Sequence, residues 1–182
     1  MKLNLLILAI IIAAAALLTL WSNKRFLTME TAVVTDVIYD PAPLFSYTAL
    51  NGQKGKLKDH MGKAIMVHFW ASWCAPCLVE FPDLIDLAKA KQENMIVLAI
   101  TIDEDKADIE KFTAQMKKPL PNNFLIIQDA QKDISETLYG TVKLPETFVI
   151  NPDLTISEKI TGPQENWNSI TWRKKISHLS SE

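Results

Sequence analysis

Residues 69–82 read FWASWCAPCLVEFP and hold both cysteines of the 182-residue chain, Cys74 and Cys77. Two thiols with two residues between them suit thiol–disulfide exchange, and the spacing separates their roles. A strand ending at Trp70 would deliver Cys74 to the first turn of the helix that follows. Unpaired backbone N–H groups and the helix dipole favour an anion there, so the thiolate is stabilised and the thiol pKa falls below its free value of about 8.5. Cys77, one turn further, points to the same end of the helix but lies deeper. This gives an outer nucleophile and an inner thiol that resolves a mixed disulfide. Pro76 suits the first turn, where its missing N–H would have no partner. Trp73 would shield the attacking sulfur and shape a docking surface.

Other chemistry fits less well. Two cysteines are too few for a closed four-ligand zinc site, and His68 and His178 would complete one only by coincidence of folding. A purely structural disulfide across so short a loop would be strained and would stabilise little. The reading needs no metal and no organic cofactor.

The elements that must position the thiols follow from hydrophobic periodicity. AIMVHFW (64–70) is a compact apolar run and predicts a central buried strand. Residues 75–91 predict a helix whose apolar face carries Leu78, Phe81, Leu84, Ile85 and Ala88, with a kink at Pro82. MIVLAITID (95–103) predicts a second buried strand. Residues 103–118 predict an amphipathic helix capped by Asp103 or Asp105. A short strand (123–129) and a short helix (130–140) closed by Gly140 come next. Strands at 146–150 and 154–160 around the NPD turn predict a hairpin, and 165–179 a last helix. Ahead of these, 31–40 alternates loosely as an edge strand. Residues 44–63 read as strand, turn at Asn51–Gly52, strand and a polar connector. The sum is an α/β sandwich with a mixed sheet. The order βαβ then ββα is the thioredoxin arrangement, with an extra βα unit at about 123–140.

Residues 3–21, LNLLILAIIIAAAALLTLW, carry no charge. As a helix they span about 28 Å, near the thickness of a bilayer's hydrocarbon. Trp21 closes the run as an interfacial aromatic, and Lys24 and Arg25 follow. A cleaved signal peptide is the alternative, but the apolar run continues past AAAA (13–16) to Leu20. The organisation read is an anchor (1–21), a juxtamembrane connector (22–40) and one thioredoxin-like domain (41–182). Flanking charges tie on the two sides of the span. A single N-terminal span usually exports the domain behind it, into a compartment where a vicinal thiol pair can exist as a disulfide. The net charge of −2 and scattered Lys and Arg argue against a nucleic-acid partner.

FWASWCAPC is similar to the active-site segment of thioredoxin-fold proteins. WCAPCLVEFP resembles the membrane-anchored TlpA/ResA/CcmG (DsbE)-like group of thiol–disulfide oxidoreductases. Pro82 falls where that fold kinks its active-site helix. KLPETFVIN (143–151) matches the segment with a cis-proline before a strand, which makes Leu144–Pro145 the predicted cis bond. DPAPLFSYTALNGQKGKLKDHMGK resembles the group's N-terminal hairpin. The match covers about residues 40–178.

The resemblance implies a single-pass protein of the cell inner membrane, its domain facing the periplasm or an equivalent space. Its clients would be disulfide-containing proteins, an apocytochrome c haem-binding cysteine pair among them, and a membrane thiol reductase its electron donor. The backbone of Leu144 would pair with a client peptide in strand fashion. Two positions depart from thioredoxin. His68 stands where that family has a buried Asp, either as a proton acceptor near the inner thiol or as a core histidine bonded to backbone. Glu80 is three residues after Cys77, either tuning the thiols and handling a proton or simply solvent-exposed. Two rival functions stay open. One is a peroxiredoxin-like thiol peroxidase, which would use a lone attacking cysteine. The other is a Sco-like copper chaperone, which would recruit His178.

Overall fold

The computed structural model describes residues 34–37 and 40–180, with residue 12 in isolation. The chain divides into two compact units, Met1–Ala32 and Val33–Glu182. Apart from residue 12, the proposed anchor at residues 3–21 lies outside the described residues. Among the described residues no helix is long and apolar enough to cross a membrane.

The second unit is built on one mixed sheet. Its strands are β1 (Val34–Val37), β4 (Ala64–Trp70), β5 (Met95–Thr101), β6 (Phe124–Gln128), β7 (Glu146–Ile150) and β8 (Ile156–Thr161), in the order β1-β8-β7-β4-β5-β6. A separate hairpin pairs β2 (Ser46–Thr48) with β3 (Lys54–Lys56). The helices are α1 (Ala75–Ala90), α2 (Lys106–Gln115) and α3 (Ile170–Leu179). β4, β5 and β6 run parallel, whereas β7 is antiparallel to both β4 and β8. This is the thioredoxin-like sandwich, with the N-terminal hairpin and the inserted β6 unit that the sequence predicts.

Both faces of the central strands are covered, which is why β4, β5 and β7 are buried at every position. Along β4 the alternation assigns Met66 and Trp70 to the α1 side and Ile65, Val67 and Phe69 to the hairpin side. On the α1 side Phe81 is the hub, its ring 4.6 Å from Trp70 and 5.3 Å from both Phe112 and Phe124. The hairpin side is filled by Phe45, Tyr47, Tyr139 and Phe148. Pro82 lies inside α1, as its position in the sequence predicts.

Several boundaries differ from the expectation, each for a local reason. The last helix starts at Ile170, five residues later than predicted. Asn166 sits in the left-handed region (φ 59°), and Ser169 supplies the N-cap, its hydroxyl accepting from the N–H of Trp172. The helix expected over 130–140 is a π-helical turn, Asp133–Leu138, entered through Lys132 at φ 59°. It is held by Asp129, whose carboxylate accepts from the N–H groups of Ile134 and Ser135. Asp105 caps α2, accepting from the N–H of Ala107, while Asp103 has a different task. β1, within the segment read as connector, pairs with β8 at the sheet edge.

Candidate functional site

β4 ends at Trp70 and the chain turns sharply into α1. The turn closes on itself through the N–H of Cys74, which donates to the carbonyl of Ala71 at 3.1 Å. It is pinned to the end of β5 by Asp103, which is 3 % exposed. That carboxylate accepts from the Ser72 N–H and the Ser72 hydroxyl, both at 2.9 Å, and from the Thr101 hydroxyl at 2.5 Å. The sequence read Asp103 only as a helix cap. An acidic residue directly after a buried parallel strand was the available signal that it could serve a loop on the neighbouring strand.

Cys74 is the N-cap residue of α1, with extended backbone (φ −85°, ψ 93°) and no side-chain capping bond. Its carbonyl accepts the first helical hydrogen bond, from Leu78 at 3.2 Å. The sulfur therefore sits beside the open N–H groups of the first helical turn, where negative charge is stabilised. Pro76 occupies that same turn. Cys74 is joined to Cys77 by a disulfide with Cα atoms 5.3 Å apart. Cys74 keeps 6 % of its surface exposed and Cys77 none, so the outer and inner sulfurs differ in access as the spacing predicts.

A groove of about 390 Å³ runs past Cys74, lined by Trp73, Ile102, Glu136, Val142 and Leu144 among others. Trp73 is 68 % and Val142 93 % exposed, so two large apolar side chains stand open at its mouth. The Leu144–Pro145 bond is cis, and Leu144 lines the groove beside the outer cysteine.

Glu80 lies in a buried polar cluster. Glu80, one turn beyond Cys77 on α1, is not the solvent-facing residue that was one reading of its position; it is 5 % exposed. Its Oε2 accepts from the backbone N–H of Gln164 at 2.8 Å and from the indole N–H of Trp167 at 3.0 Å. Its Oε1 lies 3.6 Å from His68 Nε2. Burial pushes the Glu80 carboxyl up to about 7, against the lowering effect of the bonds from Gln164 and Trp167. His68, fully buried on β4, is pushed down to about 3 by desolvation. Its Nδ1 is 2.9 Å from the hydroxyl of Thr147, the residue opposite it on β7, so its partner is a side chain rather than backbone. Gln164, Trp167 and Thr147 were not among the residues singled out from sequence. Among the described residues no group of three or more His, Cys, Asp and Glu side chains is arranged to hold a metal ion.

A thioredoxin-like sandwich that presents a closed dithiol pair at a helix N-terminus, beside a cis-proline loop and an open groove, defines a protein of thiol–disulfide exchange. The chain belongs to the AhpC/TSA family, whose description matches residues 38–159, and to the ResA thiol-disulfide oxidoreductases. It is 31% identical over 157 residues to thiol-disulfide oxidoreductase ResA of Geobacillus thermodenitrificans (strain NG80-2), covering 86% of this chain and 84% of that one. It is 35% identical over 136 residues to ResA of Bacillus anthracis, covering 74% and 76%. Among solved structures it is similar to a putative thiol:disulfide interchange protein DsbE from Chlorobium tepidum. There the TM-score is 0.66 and the identity 28%, over 78% of this chain and 97% of that one. The chain is thus a thiol-disulfide oxidoreductase, and its substrates are disulfide-bearing proteins.

Proposed function

We propose that the protein is a membrane-tethered reductase, with residues 3–21 in the lipid bilayer and the catalytic domain facing the periplasm or an equivalent extracytoplasmic space. Cys74 attacks a client disulfide and forms a mixed disulfide. Cys77 then attacks Cys74, the reduced client departs, and the Cys74–Cys77 disulfide remains. A membrane thiol reductase returns the dithiol. An apocytochrome c haem-binding cysteine pair is the client that the sequence resemblance implies. No metal or organic cofactor takes part.

The supporting residues have separate tasks in this reading. Trp73 and Leu144 hold the client segment, the latter through its backbone in strand fashion. Pro76 and Pro145 shape the two loops that flank the sulfurs. Glu80 accepts the proton that Cys77 must lose before it can attack, and a carboxyl raised towards 7 suits that transfer near neutral pH.

The observation that carries the reading is the N-cap position of Cys74 with Cys77 buried one turn inside. In the full-length chain, Cys77→Ser should trap a covalent adduct with a disulfide-bearing client, and Cys74 should be alkylated at mildly acidic pH much faster than a free cysteine. Absence of both overturns the proposal. A reduction potential of the pair near that of thioredoxin supports the reductive direction, and one as high as that of DsbA reverses it. Robust peroxide turnover by Cys74 alone would favour a peroxidase instead. Tight copper binding that requires His178 would favour a copper chaperone.

A further inference from the structure

Two buried polar atoms, His68 Nε2 and Glu80 Oε1, face each other at 3.6 Å, and neither has a hydrogen-bond partner. The other polar atoms of these side chains are engaged. Glu80 Oε2 takes both N–H donors that reach the carboxyl, and His68 Nδ1 meets the Thr147 hydroxyl. A proton on Glu80 therefore belongs on Oε1, because Oε2 already faces two donors. The acceptor in front of Oε1 is His68 Nε2. That nitrogen can accept only in the tautomer whose hydrogen is on Nδ1, and Thr147 Oγ1 stands ready to accept from Nδ1–H.

We propose that His68 and Thr147 are positioning residues for the exchange reaction. Thr147 holds the imidazole in its Nδ1–H tautomer, and the bare Nε2 accepts a hydrogen bond from the acid form of Glu80, so that Glu80 is a better base towards Cys77. The inference rests on the proton-acceptor role given to Glu80 above. Cys77 and Glu80 are three apart on α1, with Cβ atoms about 5–6 Å from each other in such a pair. In the resolving step the Cys77 S–H bond breaks and its proton forms the O–H bond on Oε1. The freed sulfur electron pair makes the Cys74–Cys77 bond. The mixed disulfide breaks, and its electron pair leaves on the client sulfur. Regeneration of the dithiol reverses the transfer and returns the proton to Cys77.

The surroundings leave this pair to set its own protonation. From β4 the pair is faced by His68 itself and from β7 by the neutral Thr147. From the segment before α3 come the backbone amide of Gln164 and the indole of Trp167, and Cys77 precedes Glu80 by three residues on α1. The hydrophobic cluster on this side includes Phe81, Ile160 and Trp172. The depressed basicity of His68 and the raised Glu80 carboxyl agree with an uncharged pair that holds one proton between them and one on Nδ1.

The direct test is the tautomer in the wild-type protein. With ¹⁵N-labelled histidine, the oxidised protein below pH 7 should show the His68 ring with hydrogen on Nδ1 and a bare Nε2. An Nε2–H ring, or a doubly protonated one, overturns the proposal. The second test is Thr147→Val against Thr147→Ser. Valine removes the acceptor for Nδ1–H, so the hydrogen moves to Nε2 and donates to the Glu80 carboxylate. The Glu80 midpoint, read by ¹³C carboxyl NMR, should fall by about one pH unit, with resolution by Cys77 slower by up to about tenfold above the wild-type midpoint, where Glu80 is ionised in both proteins and only its basicity differs. Serine should restore both. An unchanged midpoint and rate in folded Thr147→Val overturns the assignment. Client trapping by Cys77→Ser reads the exchange reaction independently, so a failure there would strike the reductase reading and leave the tautomer result standing.

Discussion

The indole N–H of Trp167 and the carboxylate of Glu80, 87 residues apart in the chain, meet at 3.0 Å inside the protein. The contact ties the segment before α3 to the helix that carries both cysteines. It also gives a buried acid a donor that favours its ionised form. Trp167→Phe keeps most of the packing and removes that donor. Loss of a hydrogen bond to a charged group costs about 1.5–3 kcal/mol when the group is ionised. The Glu80 midpoint should therefore rise above about 7, because the Trp167 bond is one of the influences that lowers it. Carboxyl NMR of the oxidised variant reads the shift, and a fall or no change would show that the indole does not govern this acid.

The buried pair also predicts how stability depends on pH. His68 is depressed from 6.5 to about 3. Between those values the unfolded chain binds a proton that the folded one does not, so stability rises with pH. Glu80 is raised from 4.5 to about 7. Between those values the folded chain holds a proton that the unfolded one releases, so stability falls with pH. Each slope approaches about 1.4 kcal/mol per pH unit when one whole proton separates the states. From about 4.5 to 6.5 the two oppose each other, and the wild-type contribution should be nearly flat. Glu80→Gln removes the falling limb, so stability should climb up to about pH 6.5. His68→Gln removes the rising limb, so it should decline from about pH 4.5 to 7. Urea denaturation across this range checks both variants, and parallel curves for all three proteins would contradict the assigned shifts.

The parts of this site that are local in sequence were legible from the sequence, and the parts assembled across the fold were not. β4 announces itself because six of its seven buried positions carry apolar side chains, and Cys74, Pro76 and Cys77 carry their meaning in their spacing. His68 could be placed on the α1 side of the sheet by alternation with Met66 and Trp70. Its partner could not, because both readings of Glu80, exposed or buried, satisfy the same helical period. Trp167 was assigned to a helix that in fact begins three residues later, and Asn166 at φ 59° is what delays it. The tight turn holding Gln164 and Trp167 has no periodicity from which its approach to Glu80 could be read. Asp103 shows the same limit, since a carboxylate that caps a helix and one that anchors a distant loop look alike in the sequence.

At the mouth of the groove, Trp73 and Val142 leave 68 % and 93 % of their surfaces in solvent. Side chains so exposed contribute little to folding, so Trp73→Ala and Val142→Ala should each change stability by less than about 0.5 kcal/mol. If they grip a client segment, truncating Trp73 should weaken client reduction by roughly tenfold or more, the scale of an interface anchor. Reaction with a small aromatic disulfide, which needs no such grip, should hardly change. A parallel loss for both substrates would mean that the variants had disturbed the sulfurs themselves.

Asp103 is the residue whose loss should reach Cys74 without touching it. Its carboxylate accepts from the backbone and the hydroxyl of Ser72, two residues before the outer cysteine, and from Thr101 on β5. Asp103→Ala leaves these donors without an acceptor at a site that is 3 % exposed, and each unsatisfied group costs about 1–3 kcal/mol. The melting temperature should fall. The turn over residues 71–73, released from the end of β5, should also hold Cys74 less firmly at the mouth of α1. In the reduced protein the Cys74 thiol should then titrate closer to the free value of about 8.5. Asp103→Asn keeps one acceptor oxygen and should fall between the two. Thermal melts and alkylation rates across a pH series separate the two effects. A lower melting temperature with an unchanged Cys74 midpoint would show that this carboxylate stabilises the fold without setting the thiol.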